Sequence, residues 1–185
     1  MDPAAPTPTL FFAIPAPGPV RALAGKIQEQ VRLSLGPARF PAQEGLHVTL
    51  AFLGPTDPAR VPDLLRTAAA AGGGGGFTLR PAGLGGFPRP ARARILWLGF
   101  EPQPALDGLA DRVRDALRAA RVPFDPKPFK AHLTLARFQE PVDLGRVPLP
   151  EPEADPFAVT GFSLYQSEPT PQGTRYRPLG TVGLD

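Results

Sequence analysis

Two copies of a four-residue pattern, His-x-Thr-Leu, carry the residues best suited to chemistry in this sequence. The copies begin at His47 and His132, which are the only histidines in the chain. The unperturbed pKa of histidine is about 6.5, so an imidazole can gain or lose a proton near neutral pH. Each imidazole is followed two residues later by a hydroxyl, on Thr49 or Thr134. The pattern predicts a site with one general acid and one general base.

Each copy lies in an apolar run typical of a β-strand, where residues i and i+2 project from the same face. His and Thr should therefore share a face, and the threonine hydroxyls could donate hydrogen bonds to phosphoryl oxygens. One His-x-Thr on a half-exposed strand is more often structural, but two copies in the same register favour catalysis. Neither copy contains Asp or Glu, so a divalent ion would lack ligands. We therefore expect no metal and no cofactor.

An internal repeat connects the two copies. His132 follows His47 by 85 positions, and Ile95 follows Leu10 by the same 85. Each block has the pattern of a strand, a helix and a His-x-Thr-Leu strand, with the helical pattern slipped by one residue between blocks. The repeat predicts approximate two-fold symmetry and one site to which each half contributes a His and a Thr.

The remaining segments give a coarse secondary structure. We predict an α+β chain with one domain over residues 1–185. The predicted helices and strands, from apolar periodicity and Gly/Pro breaks, are strands at 9–14, 77–80 and 94–100, helices at 20–31, 58–68 and 106–120, and a closing hairpin at 157–165 and 174–179. A Gly/Pro/Arg loop should join 80 to 94, Trp97 should be a core residue, 72–76 should be a linker or mobile loop, and 139–156 should be a loop.

Composition excludes several classes of protein. The chain has no cysteine, which removes disulfides and thiolate zinc sites, and its apolar runs are too short for a membrane span. We expect a cytoplasmic monomer without a membrane partner. The net charge is +3, and its basic residues are mostly arginine, which suits a phosphorylated substrate but is equally explained by biased genomic composition.

Here the chain resembles the 2H phosphoesterases, and within them the RNA 2',3'-cyclic phosphodiesterases, also called 2'-5' RNA ligases. The two His motifs indicate the superfamily, while Phe-Leu-Gly after the first and Ala-Arg after the second indicate this branch. The resemblance covers nearly the whole chain, through the segments 10–15, 47–54, 87–90, 96–99, 132–137, Ser167 and 173–176.

The resemblance implies a fold of two pseudo-symmetric lobes, each an antiparallel sheet with helices packed outside, around a central cleft. It implies that His47 protonates the departing 3'-oxygen, that His132 activates water, and that Thr49 and Thr134 hold the phosphate. The substrate would be RNA with a 2',3'-cyclic phosphate end, tRNA fragments being one candidate, and the product a 2'-phosphate. Reversible 2'-5' ligation belongs to the same resemblance.

Three further residues are candidates for substrate binding: Arg137, Phe12 and Tyr176. Arg137 lies five residues after His132, so strict alternation places it on the opposite face of the strand. A role in phosphate binding therefore requires a bulge or a strand end, and the alternative is a solvated arginine. The aromatic rings of the first strand could stack on bases.

Two other functions are compatible with these residues. One is a cyclic phosphodiesterase that acts on small nucleotides, such as ADP-ribose 1'',2''-cyclic phosphate or a nucleoside 2',3'-cyclic phosphate. The other is a non-catalytic RNA-binding module with the same fold. The intact His-Thr pairs argue against the module, because a binding surface does not need duplicated proton-transfer groups. A structural domain with coincidental motifs is disfavoured by the shared frame of 85 residues.

Overall fold

The computed structural model describes residues 7–171 and 173–185. In these residues three α-helices and ten β-strands follow one another, linked by short 3-10 turns. In chain order they are β1 (Thr9–Pro15), α1 (Gly18–Ser34), β2 (Ala38–Arg39), β3 (His47–Pro55), α2 (Val61–Ala69), β4 (Phe77–Leu79), β5 (Pro81–Phe87), β6 (Ala93–Phe100), α3 (Pro104–Ala119), β7 (Leu133–Val142), β8 (Phe157–Val159), β9 (Gly161–Thr170) and β10 (Gly173–Gly183).

The predicted α+β fold with antiparallel strands is confirmed. Seven strands follow the order β10-β9-β1-β3-β7-β6-β5, the short β2 pairs with β7 as an eighth, and β4 pairs with β8 in a separate two-stranded sheet. The expected two sheets therefore form one continuous sheet. Its halves, β10-β9-β1-β3 and β7-β6-β5, meet at β3 and β7, so the two His strands are neighbours in the sheet.

The internal repeat is visible in the order of the elements. The block β1-α1-β3 has the same succession as β6-α3-β7, and a shift of 85 residues brings 9–15 onto 94–100, within β6. The pairing of β4 with β8 is centred on Thr78 and Ala158, which lie 80 positions apart. The repeat thus has a shorter offset in these flanking strands than in the two blocks.

The two long helices cross to the opposite half of the sheet. Apolar residues of α1 are buried with Leu133 and Leu135 of β7, whereas those of α3 are buried with Val48 and Leu50 of β3. The helices present these residues at helical spacing: Val20, Ala24, Ile27 and Val31 in α1, and Leu106, Leu109, Ala110, Val113 and Leu117 in α3. Each half of the core therefore contains a helix from the other repeat.

The predicted loop before β6 is wrong, because residues 81–87 form β5 despite their glycines. One of these glycines, Gly85, is needed because a large side chain packs against it. A Cβ at Gly85 would lie 2.2 Å from the ring of Trp97, so only glycine leaves room for the indole. The predicted loop at 139–156 also begins late, since β7 continues to Val142. Residues 72–76 lie outside helices and strands, and the backbone N–H of Gly75 donates a hydrogen bond to the carbonyl oxygen of Asp185.

The helices of the described part of the chain were searched for membrane spans. None has the length and apolar character that a span requires.

Candidate functional site

One residue pair at the centre of the sheet places both motifs together. In the described residues, β3 and β7 share a single registered pair, Val48 with Leu133. One step to either side in an antiparallel register, His47 lies opposite Thr134 and Thr49 lies opposite His132. Because Val48 and Leu133 are buried in the core, these four polar residues occupy the other face of the sheet. Directly opposite side chains are about 5 Å apart at their Cβ atoms.

The two motifs are equivalent in strand register and in the hydrogen bond of the imidazole, as well as in sequence. The core pair itself joins a residue to its repeat counterpart, since 133 − 48 = 85. In both motifs the imidazole Nδ1 lies 2.7 Å from the carbonyl oxygen two residues earlier, Gly45 for His47 and Lys130 for His132. A carbonyl can only accept, so Nδ1 carries the proton and Nε2 is the nitrogen that can exchange one.

His47 lies within a group of aromatic rings. The ring centroids of Phe11, Tyr176 and Tyr165 lie 4.7, 5.0 and 6.3 Å from its own. Burial removes the imidazole from water and lowers the pKa of His47 to about 4, with smaller lowering contributions from the charges of His132 and Arg137 and an opposing one from the Gly45 hydrogen bond. In the free protein His47 is therefore neutral at neutral pH.

His132 is less buried than His47 and has a positively charged side chain, that of Lys130, nearby. The rings of Phe87 and Trp97 lie 5.0 and 6.5 Å from its imidazole, and the Lys130 ammonium lies over both of these rings, 4.5 Å from the centroid of Trp97. Desolvation also lowers the pKa of His132, with Arg137 and Lys130 acting in the same direction and the Lys130 carbonyl opposing them.

A β-bulge in each His strand changes the alternation after the motif. In β3, Thr49 and Ala51 face consecutive residues of β1 and leave Leu50 as the extra residue. In β7, Thr134 and Ala136 do the same opposite β6 and leave Leu135 as the extra residue. Both extra residues and their successors point into the core.

Because of the bulge in β7, Arg137 lies on the same face of the sheet as His132. The arginine is exposed, it pairs with Ile95 across the sheet, and its charge contributes to lowering the pKa of both histidines. Its repeat counterpart is Phe52, because 137 − 52 = 85. Phe52 is 45% exposed and faces Phe11 across the sheet, so it lies on the His47 side.

The three aromatic residues singled out in the sequence have different surroundings in the structure. Phe12 is fully buried and packs edge-on against Phe162, so its prediction as a substrate contact is wrong: alternation along β1 turns its ring into the core. Tyr176 lies beside His47, against Gly45, where a Cβ would lie 2.8 Å from its ring. Trp97, predicted to be a core residue, is partly buried and lies beside His132.

Sequence reasoning missed three residues beside the imidazoles, Tyr165, Phe87 and Lys130, and one on the same face of the sheet, Phe52. Phe52 had a usable signal, since the frame that equates the histidines also equates Phe52 with Arg137. Phe87 lies in the segment 87–90 that carries the family resemblance, but its place beside His132 depends on the pairing of β5 with β6, and that of Tyr165 on the pairing of β9 with β1, neither of which can be read from one sequence. Residues 7–171 and 173–185 contain no group of three or more His, Asp or Glu arranged to hold a metal ion.

Comparisons with known proteins agree on one family. The family model described as the 2'-5' RNA ligase superfamily matches residues 15–168. An RNA 2',3'-cyclic phosphodiesterase of Thermus thermophilus is 36% identical over 95% of this chain and 89% of the relative.

Solved structures give the same result. A crystal structure of a Thermus thermophilus protein has a TM-score of 0.80 at 33% identity and covers 95% of this chain and 97% of its own. The structure of Escherichia coli LigT in complex with 3'-AMP has a TM-score of 0.74 at 34% identity, with coverage of 96% and 98%.

Proposed function

Since the chain belongs to the 2'-5' RNA ligase superfamily, we propose that it is an RNA 2',3'-cyclic phosphodiesterase. It hydrolyses a 2',3'-cyclic phosphate at an RNA end to a 2'-phosphate and a free 3'-hydroxyl. The observation that carries the proposal is the four-residue arrangement around the Val48–Leu133 pair, in which each imidazole lies opposite the hydroxyl of the other motif. The names of the relatives support the same activity.

The proposed reaction is an in-line displacement at phosphorus. Nε2 of His132 accepts a proton from water as the water oxygen attacks phosphorus. The bond from phosphorus to the 3'-oxygen breaks, and this oxygen takes a proton from Nε2 of His47. The two imidazoles then return to their starting states by exchanging protons with solvent. If a 5'-hydroxyl attacks in place of water, the same displacement gives a 2'-5' linkage, and the reverse of that step cleaves the linkage to the cyclic phosphate and the 5'-hydroxyl.

The phosphoryl oxygens need partners while charge moves through them. The hydroxyls of Thr49 and Thr134 can donate to non-bridging oxygens from opposite sides of the site. Arg137 brings a guanidinium to the same face beyond the β7 bulge, and this group suits bidentate contact with phosphate. We assign phosphate binding to these three residues.

The aromatic residues around His47 suit a nucleoside on that side of the site. Phe11 is covered by its neighbours, whereas Tyr176 is partly exposed and Phe52 is 45% exposed. Exposed rings stack on bases without demanding a particular sequence. We therefore place the base of the cyclic nucleotide near Tyr176 and Phe52.

The chain would act on RNA ends such as those of tRNA fragments, as a cytoplasmic monomer.

The test is to incubate the purified protein with an RNA oligomer ending in a 2',3'-cyclic phosphate and to identify the product end. A 2'-phosphate is expected, and its absence with the intact cyclic end recovered would refute the proposal. The matched control is the His47→Ala, His132→Ala double variant. A parallel incubation with nucleoside 2',3'-cyclic phosphate and with ADP-ribose 1'',2''-cyclic phosphate tests the small-nucleotide alternative, which the E. coli complex with 3'-AMP favours. Faster turnover of either small substrate than of the RNA would select that alternative.

A further inference from the structure

A buried glutamine connects the two His strands from the back of the sheet. Gln28 lies on α1 and is 2% exposed. Its side-chain amide donates to the carbonyl of Leu135, the extra residue of the β7 bulge, at 3.0 Å. The same nitrogen donates to the carbonyl of Pro41, also at 3.0 Å, in the segment that leads into β3. One amide thus joins the bulge of the His132 strand to the approach of the His47 strand.

An arginine on the other long helix makes the converse connection. Arg114 lies on α3, and its Nε donates to the carbonyl of Leu50, the extra residue of the β3 bulge, at 3.0 Å. Its Nη1 donates to the carbonyl of Lys127 at 2.9 Å, in the segment that leads into β7. This guanidinium joins the bulge of the His47 strand to the approach of the His132 strand.

The two connections are related by the internal repeat. The bulge carbonyls differ by 135 − 50 = 85 positions. The donors differ by 114 − 28 = 86 and the approach carbonyls by 127 − 41 = 86, which is the one-residue slip between the helices of the two blocks. An amide in one half and a guanidinium in the other occupy equivalent places and bond equivalent carbonyls.

The place of these contacts suggests why both halves have them. The strands β3 and β7 share a single registered pair among the described residues, so the sheet ladder gives little resistance to sliding or splaying of one His strand against the other. A bulge also disturbs the ladder where it occurs. Acid-base catalysis by two residues needs both held at a fixed distance from the same phosphorus, and a displacement of about 1 Å can cost about 10²-fold.

We propose that Gln28 and Arg114 are positioning residues that set the spacing of the two His-x-Thr strands by fastening each bulge to the approach of the opposite strand. Neither residue touches substrate. Gln28 acts on Arg137 and Thr134 through the β7 bulge, and Arg114 acts on Phe52 and Thr49 through the β3 bulge. For its kinetic readout this inference rests on the proposed function.

The experiment uses Gln28→Leu, which keeps similar side-chain volume and removes both donated hydrogen bonds. Ile27→Val and Ile27→Ala are the matched controls, because Ile27 is a fully buried neighbour on α1 with an apolar side chain. They bracket the loss of melting temperature that a core change produces. Gln28→Leu should lose about 10- to 100-fold in kcat/KM, beyond an Ile27 variant of equal melting temperature. Gln28→Asn, which keeps the amide on a shorter stem, should recover part of that loss.

A double-mutant cycle distinguishes positioning from stability. If Gln28 acts through the β7 bulge, the effect of Gln28→Leu on KM should largely disappear in an Arg137→Ala background. The proposal would be overturned if Gln28→Leu changed KM by the same factor in the wild-type and Arg137→Ala backgrounds. It would also be overturned if Gln28→Leu were as active as the Ile27 variant of equal melting temperature. Arg114→Leu should be less sensitive to Arg137→Ala, because its bulge lies in the other strand.

A readout without turnover keeps this inference separable from the proposed function. Imidazole titration by NMR in Gln28→Leu should show the resonances of both histidines move relative to wild type, because each connection reaches both strands. If no cyclic phosphate is turned over but the resonances move, the proposed function fails and the positioning role stands. Unchanged titration curves together with normal kinetics would remove the positioning role and leave the function intact.

Discussion

The two halves of the site have the same backbone and different surroundings. His47 and His132 make the same Nδ1 hydrogen bond, lie opposite each other's threonine and precede equivalent bulges. Around His47 the neighbours are three aromatic rings, whereas around His132 they include Lys130. The counterpart of Lys130 is Gly45, and the missing side chain leaves the space in which Tyr176 lies.

This difference shows how a duplicated scaffold can give two equivalent histidines different chemistry. The repeat supplies two imidazoles in the same geometry, and substitutions at the neighbouring positions change their proton affinities. Desolvation lowers the pKa of His47 to about 4 in the free protein, so its protonated form gives up a proton more readily than an ordinary imidazolium. A bound phosphodiester brings negative charge that favours this protonated form, which would put the proton on His47 only when a substrate is present.

The largest effect is expected from removing either imidazole. His47→Ala and His132→Ala should each lower turnover by about 10² to 10⁴-fold, the usual contribution of one acid-base group. A substrate with a good leaving group, such as a p-nitrophenolate-type ester, should rescue His47→Ala substantially and leave His132→Ala impaired, because water still lacks its base. Rescue of His132→Ala alone would mean that the two halves have exchanged roles, and equal rescue would mean that neither has a dedicated one.

A second large effect concerns the pH dependence of stability. The unfolded His47 gains a proton near pH 6.5 and the folded one only near pH 4, so the unfolded state binds more protons between these values. The free energy of unfolding should therefore fall as the pH falls from 6.5 to 4, by up to about 3 kcal/mol. Urea titrations of wild type and His47→Gln across this range would measure it. A wild-type difference no larger than that of the variant would contradict the strong desolvation of His47.

The counterparts Arg137 and Phe52 should differ in what they bind. Arg137→Ala should weaken binding of inorganic phosphate and raise KM for the RNA by roughly 10- to 100-fold, as expected for loss of a hydrogen bond to a charged group. The loss should be the same for good and poor leaving groups. Phosphate affinity measured by calorimetry for wild type, Arg137→Ala and Arg137→Lys would test this. Unchanged affinity in Arg137→Ala would identify the arginine as solvated.

The features that the two halves of the site share could be predicted from the sequence only in part. The motifs and the 85-residue frame follow from residue types and their spacing, and the succession of strand and helix follows from local periodicity, all of which one sequence contains. The faces of Phe12 and Arg137 were harder to predict. Phe12 was assigned without fixing which face of β1 meets the core, and Arg137 depends on a bulge at Leu135 that only the pairing with β6 reveals. The strand β5 was missed because its glycines are typical of a loop, although one of them, Gly85, makes room for Trp97.

A smaller effect is expected from Phe52, whose ring is half exposed. Phe52→Ala should raise KM for the RNA by about 10-fold, within the range for one base-stacking contact, and should leave the affinity for inorganic phosphate unchanged. Phe52→Tyr, which keeps a ring, should restore most of the affinity for RNA. A parallel loss of phosphate affinity in Phe52→Ala would show that the substitution disturbs the β3 bulge and that the ring is not a separate binding surface.

The smallest effect, no change in turnover, is expected from removal of divalent ions. Each half contributes one imidazole and one hydroxyl, and a metal ion at the centre would have to bridge the halves with only two nitrogen ligands, whereas a catalytic zinc site generally has three protein ligands. Turnover of the cyclic-phosphate RNA should therefore be equal with and without excess chelator after dialysis. The matched control is His132→Ala in the same buffers, which separates loss of the base from loss of an ion. Turnover that disappears in chelator and returns with one particular divalent ion would replace the two-histidine mechanism by a metal-dependent one, and the two halves would then share a ligand set instead of dividing acid from base.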